Sequence, residues 1–513
     1  MAGAVFTAQD PRTGAILGSY SDADDETIAI ACRQAAAASS ALRDEQVRQR
    51  LLRETARMLR AAGPELHELC GRETGLPRAR LEGELERTCV QLELLADVVA
   101  EGSCVEAIID TADPDAPIAP RPDLRRMLIP IGPVAVFGAS NFPYAFSVAG
   151  GDTASAFAAG CPVVVKAHPS HPGTSGLVAA IVLAAVEEVG LPAGTFSLVH
   201  GASSRVGEVL TRAEEIEAVA FTGSLAGGRA LFDVAAARPR PIPVFAEMGS
   251  VNPTLITTAA LRARAATVAE GLTASVTGGT GQFCTKPGVV LVPADDDGAA
   301  FIDDVVARLG AVEPAPLLNA RIHEALREAV AELNDDADVR RLSDDGDAGA
   351  NRGAFLHAPV AYAVDGDRAA RRPDLLQERF GPLVLFVRYA GIEEASAVLD
   401  ALEGQLTATV HAESQELDDL RTIISRLEQK AGRVVFDGFP TGVAVTHAMQ
   451  HGGPYPATTS PAHTSVGTTA IRRFQRPVTW QNAPAEVLPA ALRDDNPLGI
   501  WRVVDGHLTR DPS

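Results

Sequence analysis

The sequence predicts an α/β protein with parallel sheets, because short apolar runs alternate with stretches of helical periodicity. After Pro130 the apolar runs span 133–138, 162–166, 196–200 and 218–223. Buried strands joined by crossover helices have this pattern, and they form a parallel sheet. The connecting segments carry Gly, Pro and Ser where each strand should end, which is the edge where open α/β sheets bind ligands. A nucleotide site is predicted there.

Helices are predicted before this sheet and a second α/β unit after it. Residues 25–100 place apolar side chains at helical spacing, which gives them a face to pack on a sheet or a partner subunit. The second unit follows Glu247, with a helix over 261–273 and strands over 289–293, 383–389 and 433–438. Residues 338–352 are polar and predict a surface loop. The Gly-, Pro- and Thr-rich stretch from His447 predicts an extended arm or binding loop.

Length and composition indicate a folded chain with a large core. The chain has 513 residues, of which 46% are hydrophobic and 22% charged, as in ordinary globular proteins. Its 66 acidic and 45 basic residues give a net charge of −21, so nucleic acid is not an expected partner. The longest strictly apolar run, 177–186, is too short for a transmembrane helix, and the first residues lack a secretory-signal pattern. A cytoplasmic protein without a membrane partner is expected.

The cysteines do not pair into CxxC motifs, which argues against a metal site and against a disulfide framework. They are Cys32, Cys70, Cys89, Cys104, Cys161 and Cys284. Cys284 stands out because it lies in TGGTGQFCTKPG, a glycine-rich segment between a predicted helix and a predicted strand. The backbone can bend sharply there and leave the thiol exposed to a ligand. Cys284 is therefore a candidate nucleophile, although a structural cysteine is the alternative.

Two further residues follow predicted strands and could take part in catalysis. Glu247 ends an apolar run in FAEMGSVNP, where partly apolar surroundings can raise a carboxyl pKa towards that of a general base. A surface or helix-capping glutamate is the alternative. Asn141 in FGASNFP could donate to an oxyanion, or it could simply occupy a turn.

Phosphate or ribose binding is suggested by two other strand ends. Lys166 closes the run PVVVK and would bring an ammonium group to the ligand edge, unless it is only a solvated lysine. The segment FTGSLAGGRAL, residues 221–231, carries glycines between a strand and a helix. Exposed amides and the helix dipole could receive a pyrophosphate there, although the segment is not a GxGxxG motif.

Six motifs occurring in order resemble those of the aldehyde dehydrogenase superfamily, and the resemblance covers nearly the whole chain. They are FGASNFP, PVVVKAHP, FTGSLAGG, AEMGSVNP, GQFC and ERFGP. Four others, KAHPSHPGTS, HGGPYPATT, TSVGTTAI and NPLGIWR, resemble the branch of NADP-dependent aldehyde dehydrogenases and α-ketoglutaric semialdehyde dehydrogenases. The resemblance implies a Rossmann-like cofactor domain, an α/β catalytic domain and a small bridging element.

The resemblance assigns catalytic roles to three residues. Cys284 would attack the aldehyde carbon to form a thiohemiacetal that can release hydride to the cofactor. The side-chain amide of Asn141 and the backbone N–H of Cys284 would hold the oxyanion. Glu247 would activate the water that hydrolyses the thioester, and it could also help to deprotonate Cys284.

The resemblance also assigns cofactor contacts. Lys166 would bind the adenosine ribose, Gly223 and Ser224 would lie near the pyrophosphate, and Glu378 and Phe380 would position the nicotinamide ribose and ring. Many NAD-preferring relatives carry a glutamate three residues after the lysine, where it repels a 2′-phosphate. This chain has Pro169 at that position, flanked by His168 and Ser170. NADP is therefore the favoured cofactor and NAD the alternative.

The domains implied are a cofactor domain of residues 1–115 and 131–247, and a catalytic domain of residues 248–445. Residues 116–130 and 453–490 would form the bridging and oligomerisation element. A homodimer or homotetramer is expected, because relatives assemble through such arms.

The substrate expected from the branch is α-ketoglutaric semialdehyde (2,5-dioxopentanoate), a small aldehyde that would be oxidised to 2-oxoglutarate. A broad-range or fatty aldehyde dehydrogenase is the alternative, and a non-catalytic protein that kept the fold is the alternative from another class. No pocket residue is assigned. Arg379 has no predicted role, and a structural role is expected for His451 although it could reach the substrate loop.

Overall fold

The computed structural model of the protein describes residues 4–343 and 354–513. In chain order its strands are β1 Val5–Gln9, β2 Ile16–Ser21, β3 Ile108–Asp110, β4 Leu124–Pro130, β5 Val134–Phe137, β6 Val163–Lys166, β7 Phe196–Val199, β8 Ala218–Thr222, β9 Val244–Glu247, β10 Thr254–Ile256, β11 Val289–Pro293, β12 Ala315–Pro316, β13 Arg340–Arg341, β14 Leu356–His357, β15 Val360–Asp365, β16 Leu383–Tyr389, β17 Gln405–His411, β18 Ala431–Phe436, β19 Gln475–Gln481, β20 Arg502–Val504 and β21 His507–Thr509.

The helices alternate with these strands after a first group near the N-terminus. They are α1 Asp25–Ala38, α2 Glu45–Ala61, α3 Gly63–Thr74, α4 Arg78–Glu101, α5 Gly151–Ala159, α6 Pro172–Glu188, α7 Ser204–Arg212, α8 Leu225–Ala236, α9 Thr258–Thr277, α10 Asp296–Gly310, α11 Ala320–Asp335, α12 Gly366–Arg371, α13 Ile392–Ala401 and α14 Arg421–Lys430. The predicted α/β class is confirmed.

The first parallel sheet has the strand order β7-β6-β5-β8-β9, so its strands are arranged 3-2-1-4-5 in order of sequence. All neighbours are parallel, and Phe137 at the end of β5 pairs with Lys166 of β6 and with Phe221 of β8. Thr222 of β8 in turn pairs with Glu247 of β9. This is the strand order of a dinucleotide-binding sheet, with its switch point between β5 and β8. The register brings the carboxyl ends of these four strands to one edge.

Four helices at the N-terminus confirm the helical prediction for residues 25–100. Apolar residues of α2, α3 and α4 share one core with residues of β5 and β6, including Leu52, Leu92, Val136 and Val165, all at most 1% exposed. Burial of such aliphatic side chains contributes roughly 1.5–3 kcal/mol each to folding, as an upper estimate. The helical face therefore covers the first sheet.

The second sheet has the order β13-β15-β16-β11-β10-β17-β18, in which only β13 is antiparallel to its neighbour among the described strands. The predicted helix over 261–273 is α9, and the predicted strands correspond to β11, β16 and β18. The loop predicted over 338–352 contains the short strand β13, because Arg340 and Arg341 pair with Ala363 and Tyr362 of β15. Residues 344–353 lie outside the described residues.

A third sheet has the order β19-β4-β3-β20-β21. It uses β4 and β19 from the segments predicted as a bridging element, but it also includes β3 at 108–110 and β20–β21 at 502–509. The predicted boundaries therefore differ from the observed sheet at both ends. Within the segment predicted to bridge, Thr458 instead pairs with Glu247 of the first sheet. None of the described helices is long and apolar enough to cross a membrane.

Candidate active site

Glu247 is the last residue of β9, and its side chain is buried although it carries a carboxyl group. The residue is 7% exposed, and its backbone carbonyl accepts a hydrogen bond of 3.0 Å from the N–H of Gly223. On its other side it forms an isolated β-bridge with Thr458. The carboxylate thus lies at the carboxyl edge of the first sheet, as the sequence predicts.

Cys284 lies in the connection between α9 and β11, also as predicted. The chain leaves α9 through a 3₁₀ turn at Gly278–Gly281. Gly281 has a φ of +67°, and a Cβ atom there would lie 2.3 Å from the carbonyl carbon of Gly381. Only glycine allows this contact between the GQFC and ERFGP segments. The half-buried Cys284 is thereby held close to the segment that contains Glu378 and Phe380.

Asn252 holds the backbone of the loop that carries Cys284, although no role was predicted for it. Its side-chain Nδ2 donates to the carbonyl oxygens of Cys284 and Lys286, both at 2.9 Å. Its Oδ1 accepts from the hydroxyls of Ser250 at 3.0 Å and Thr407 at 2.9 Å. The only sequence signal was its position in the motif AEMGSVNP.

Asn141 reaches the same loop from the first sheet. Its Nδ2 donates to the carbonyl oxygen of Gln282 at 2.9 Å, which places the amide beside the cysteine loop. An amide nitrogen carries two N–H groups, so one remains for a ligand. Within the described chain, no protein acceptor contacts the backbone N–H of Cys284. Two neutral donors are thus near the thiol.

His451 lies between Cys284 and Glu247. Its Nε2 is 3.5 Å from the Cys284 sulfur, and its Nδ1 is 2.8 and 2.9 Å from the two carboxylate oxygens of Glu247. The ring is 3% exposed. Burial alone would lower the pKa of His451, but the charges of Glu247 and Cys284 raise it to about 10.

His451 thus contacts both Cys284 and Glu247, a position that the expectation of a structural histidine did not include. The three side chains form a connected thiol–imidazole–carboxylate arrangement, which is able to activate a nucleophile and orient its base. Glu247 is linked to Cys284 through this imidazole. The sequence carried no local sign of it, since 167 residues separate His451 from Cys284.

The cofactor residues predicted at the edge of the first sheet are brought together. Lys166 ends β6, and burial lowers the pKa of its ammonium group to about 8 while Asp22 opposes that shift. No carboxylate of the described residues pairs with it. Ser224 caps α8 by accepting from the N–H of Gly227 at 3.2 Å, and both Gly223 and Ser224 are exposed.

Helix α6, in contrast, has no free N-terminus. The buried carboxylate of Glu73 accepts from the N–H groups of Gly173 and Thr174, both at 2.8 Å. The exposed N-terminus of α8 and the unpaired Lys166 are therefore the groups that suit the phosphates and ribose of a dinucleotide. The residues present at this edge fit NAD(P).

His168 and Ser170 are partly engaged within their own turn. Nδ1 of His168 accepts from the backbone N–H of Ser170 at 3.2 Å, and its ring lies 5.7 Å from that of His171. Burial holds the pKa of His168 well below its usual value, so this ring is neutral. The Ser170 hydroxyl accepts from Nδ2 of Asn319 at 2.7 Å.

Glu378 and Phe380 approach from the second sheet. A Cβ atom on Gly249 would lie 2.6 Å from a carboxylate oxygen of Glu378, so the glycine makes room for this side chain. Burial raises the pKa of Glu378 to about 7, although Lys286 opposes the shift. The buried Lys286 holds the same turn by donating to the carbonyls of Arg379 and Leu383 at 3.1 and 2.7 Å.

A 3-2-1-4-5 sheet with a lysine and an exposed helix N-terminus at its carboxyl edge, joined to a second α/β unit that presents a thiol, is typical of dinucleotide-dependent oxidoreductases. Residues 2–472 match the family model described as the aldehyde dehydrogenase family, and the chain belongs to that family. It is therefore an oxidoreductase that acts on small aldehydes with NAD(P).

Similar proteins support this assignment over nearly the full length. The chain is 46% identical to alpha-ketoglutaric semialdehyde dehydrogenase 2 of Azospirillum brasilense, over 97% of this chain and 94% of the relative. It is 42% identical to alpha-ketoglutaric semialdehyde dehydrogenase of Acinetobacter baylyi, over 91% and 88%. Gamma-glutamyl-gamma-aminobutyraldehyde dehydrogenase of Burkholderia cenocepacia has the same fold, with a TM-score of 0.79, 22% identity and 93% of each chain covered.

Proposed function

We propose that the protein oxidises α-ketoglutaric semialdehyde to 2-oxoglutarate. The observation that carries this proposal is the 46% and 42% identity, over more than nine-tenths of the chain, to two proteins named for that activity. The half-buried Cys284 beside a buried imidazole and carboxylate supplies the groups that the reaction needs.

Cys284 would act as the nucleophile. With His451 holding the proton, the thiolate adds to the aldehyde carbon and the carbonyl oxygen becomes an oxyanion. The second N–H of Asn141 and the backbone N–H of Cys284 are the donors available to that oxyanion. When bound, NAD(P) supplies the hydride acceptor that converts the thiohemiacetal into a thioester.

Glu247 would act in the hydrolytic half of the reaction. Water adds to the thioester carbonyl while the Glu247 carboxylate accepts its proton. Collapse of the tetrahedral intermediate breaks the carbon–sulfur bond, which releases the carboxylic acid and returns the thiolate. Because both carboxylate oxygens lie against Nδ1 of His451, the protonated imidazole orients Glu247 as the base.

The substrate is tested by initial rates of reduced-cofactor formation with 2,5-dioxopentanoate and with hexanal to dodecanal. We expect kcat/KM for the semialdehyde to exceed that for every alkanal by at least about tenfold, or ~1.4 kcal/mol of transition-state binding. The reverse order would favour the broad-range or fatty aldehyde dehydrogenase instead.

For the cofactor we propose that Lys166, Gly223, Ser224, Glu378 and Phe380 form the contacts, with His168 and Ser170 bordering the ribose. Support comes from the unpaired Lys166 ammonium and the exposed N-terminus of α8 at one sheet edge.

NADP is the preferred cofactor in this proposal, because Pro169 places no carboxylate where a 2′-phosphate would lie. Pro169→Glu should lower kcat/KM with NADP by at least about tenfold through charge repulsion and change the value with NAD less than about threefold. Parallel titrations of both cofactors at fixed aldehyde measure this. An equal loss with both would show that the substitution only distorts the turn.

We also propose the domain roles and the assembly. The first sheet would serve as the cofactor domain, the second as the catalytic domain and the third as the bridging element of a homodimer or homotetramer. In support of the last role, β19 lies at the edge of the third sheet, with β4 as its neighbour. Trp501 and Leu508 near its other edge are 42% and 68% exposed.

A further inference from the structure

Two arginine side chains from different parts of the chain reach the surroundings of His451. Arg87 projects from α4, and its guanidinium lies 5.2 Å above the ring of Phe146. The Phe146 ring is in turn 5.8 Å from the ring of His451. Arg433 projects from β18, in the second sheet.

Both side chains hold the irregular segment 437–467, which also carries His451. Nε of Arg87 donates to the carbonyl of Val443 at 3.2 Å, and Nη2 of Arg433 donates to the carbonyl of Pro440 at 2.5 Å. Arg433 also contacts the sulfur of Met449 at 3.9 Å. These contacts place the two cations around the same stretch of chain, whose His451 has its Nε2 3.5 Å from the Cys284 sulfur.

Neither guanidinium has a negative partner among the described side chains. No carboxylate lies within ion-pair distance of either one in that part of the protein, and Nη2 of Arg87 and Nε of Arg433 are buried without an acceptor. Burial lowers the pKa of both guanidinium groups; the charge of Glu84 and then that of Cys284 oppose the shift at Arg87, and the charge of Cys284 opposes it at Arg433. A buried cation with an unsatisfied N–H is costly unless an anion completes it.

Arg80, on the same helix as Arg87, differs from it in having an ion-pair partner. It lies about two helical turns before Arg87 on α4. Its guanidinium stacks on Phe142 at 4.4 Å, but it also donates to the buried carboxylate of Glu84 at 2.6 Å. The fold therefore neutralises one arginine of this helix and leaves the next one unpaired.

We propose that Arg87 and Arg433 bind the carboxylate of the aldehyde substrate and so select ω-aldehyde acids over neutral aldehydes. This inference rests on the proposed function and deepens it. A guanidinium donates parallel N–H groups that match a carboxylate, and two of them bonded to the segment that carries His451 would orient a short chain with its aldehyde end at Cys284. An alkanal would leave both cations unpaired, which is how a polar pocket rejects an apolar analogue.

Comparing an acid with a neutral aldehyde distinguishes substrate binding from stabilisation of the thiolate. If the arginines served only to stabilise the Cys284 thiolate, their loss would slow every aldehyde equally. If they bind the substrate carboxylate, the loss falls on the acids alone.

The test compares Arg87→Gln and Arg433→Gln with the unchanged protein, using 2,5-dioxopentanoate and pentanal. For each variant we expect kcat/KM to fall by about 30-fold or more with the acid, mainly through KM, and by less than about threefold with pentanal. Inhibition by the product 2-oxoglutarate should weaken by about tenfold or more. Arg78→Gln, an exposed arginine on the same helix that pairs with Glu82, is the matched control.

Equal losses on both aldehydes, or an unchanged preference for the acid, would overturn the inference. If thermal unfolding shows that a glutamine variant does not fold, Arg87→Lys or Arg433→Lys is used in its place. The lysine keeps the positive charge, so retention of the preference for the acid would support the inference. If the protein does not oxidise 2,5-dioxopentanoate, the proposed function fails, but 5-oxopentanoate against pentanal still tests the arginines. If the unchanged protein then shows no preference for 5-oxopentanoate over pentanal, the inference about the arginines is overturned as well.

Discussion

Cys284→Ser is expected to lower kcat/KM by at least about 10⁴-fold, because it removes the proposed nucleophile. The serine hydroxyl stays protonated, because the neighbouring His451 imidazole already carries a proton and cannot accept another. The adduct with the aldehyde therefore does not form. Assay of aldehyde-dependent cofactor reduction measures the loss, with cofactor binding unchanged as the sign that the fold is intact.

The same protein offers a chemical control. Burial raises the pKa of the other five thiols, to about 12 for Cys32, Cys70 and Cys89 and to about 11 for Cys104 and Cys161. Iodoacetamide at neutral pH should therefore label Cys284 first, with activity lost in step. Cys104→Ser, at the only other thiol that is not fully buried, should remain active. Substantial turnover by Cys284→Ser would remove the thiol from the mechanism.

His451→Gln is expected to lower kcat/KM by about 100-fold or more, because it breaks the only described link between the thiol and Glu247. Labelling of Cys284 by iodoacetamide at pH 7 should slow by at least about tenfold, since a neutral amide does not stabilise a thiolate. His447→Gln, four residues earlier in the same segment and exposed, is the matched control. Wild-type labelling in His451→Gln would contradict an imidazole-paired thiol.

The variant also has a pH signature. Because the pKa of His451 is raised to about 10 in the folded protein from 6.5, its pairing with Glu247 stabilises the fold fully below pH 6.5. That contribution is lost as the pH rises towards 10. The difference in thermal unfolding midpoint between the unchanged protein and His451→Gln should therefore shrink over this range. A constant difference would mean that the imidazole is not charged in the fold.

Most of the two parallel sheets could be predicted because their strands are continuous apolar runs buried on both faces. The runs 133–138, 289–293 and 383–389 are of this kind, and each became a strand within one residue of its predicted ends. The third sheet was harder, because β3, β20 and β21 have only three residues each and no apolar run marks them. Pairing partners far along the chain decide such strands.

The residues of the candidate site likewise fall into those that local sequence indicates and those that it does not. Cys284, Glu247 and Asn141 each follow a strand or helix within a glycine-containing motif, so local sequence indicates them. His451 and Arg433 come from parts of the chain whose local pattern suggests only a loop and a strand. Their importance arises from contacts across more than 100 residues, such as the 204 residues that separate His451 from Glu247.

The order in which the chain is made has a chemical consequence for the thiol. Cys284 and Glu247 leave the ribosome well before His451, which follows the cysteine by 167 residues. At roughly 5–20 residues per second that interval is on the order of ten to thirty seconds. During it the nascent chain carries a cysteine with no imidazole to activate it. The thiol therefore gains its imidazole partner only after residue 451 has been synthesised and the segment that carries it has folded back onto the cysteine loop.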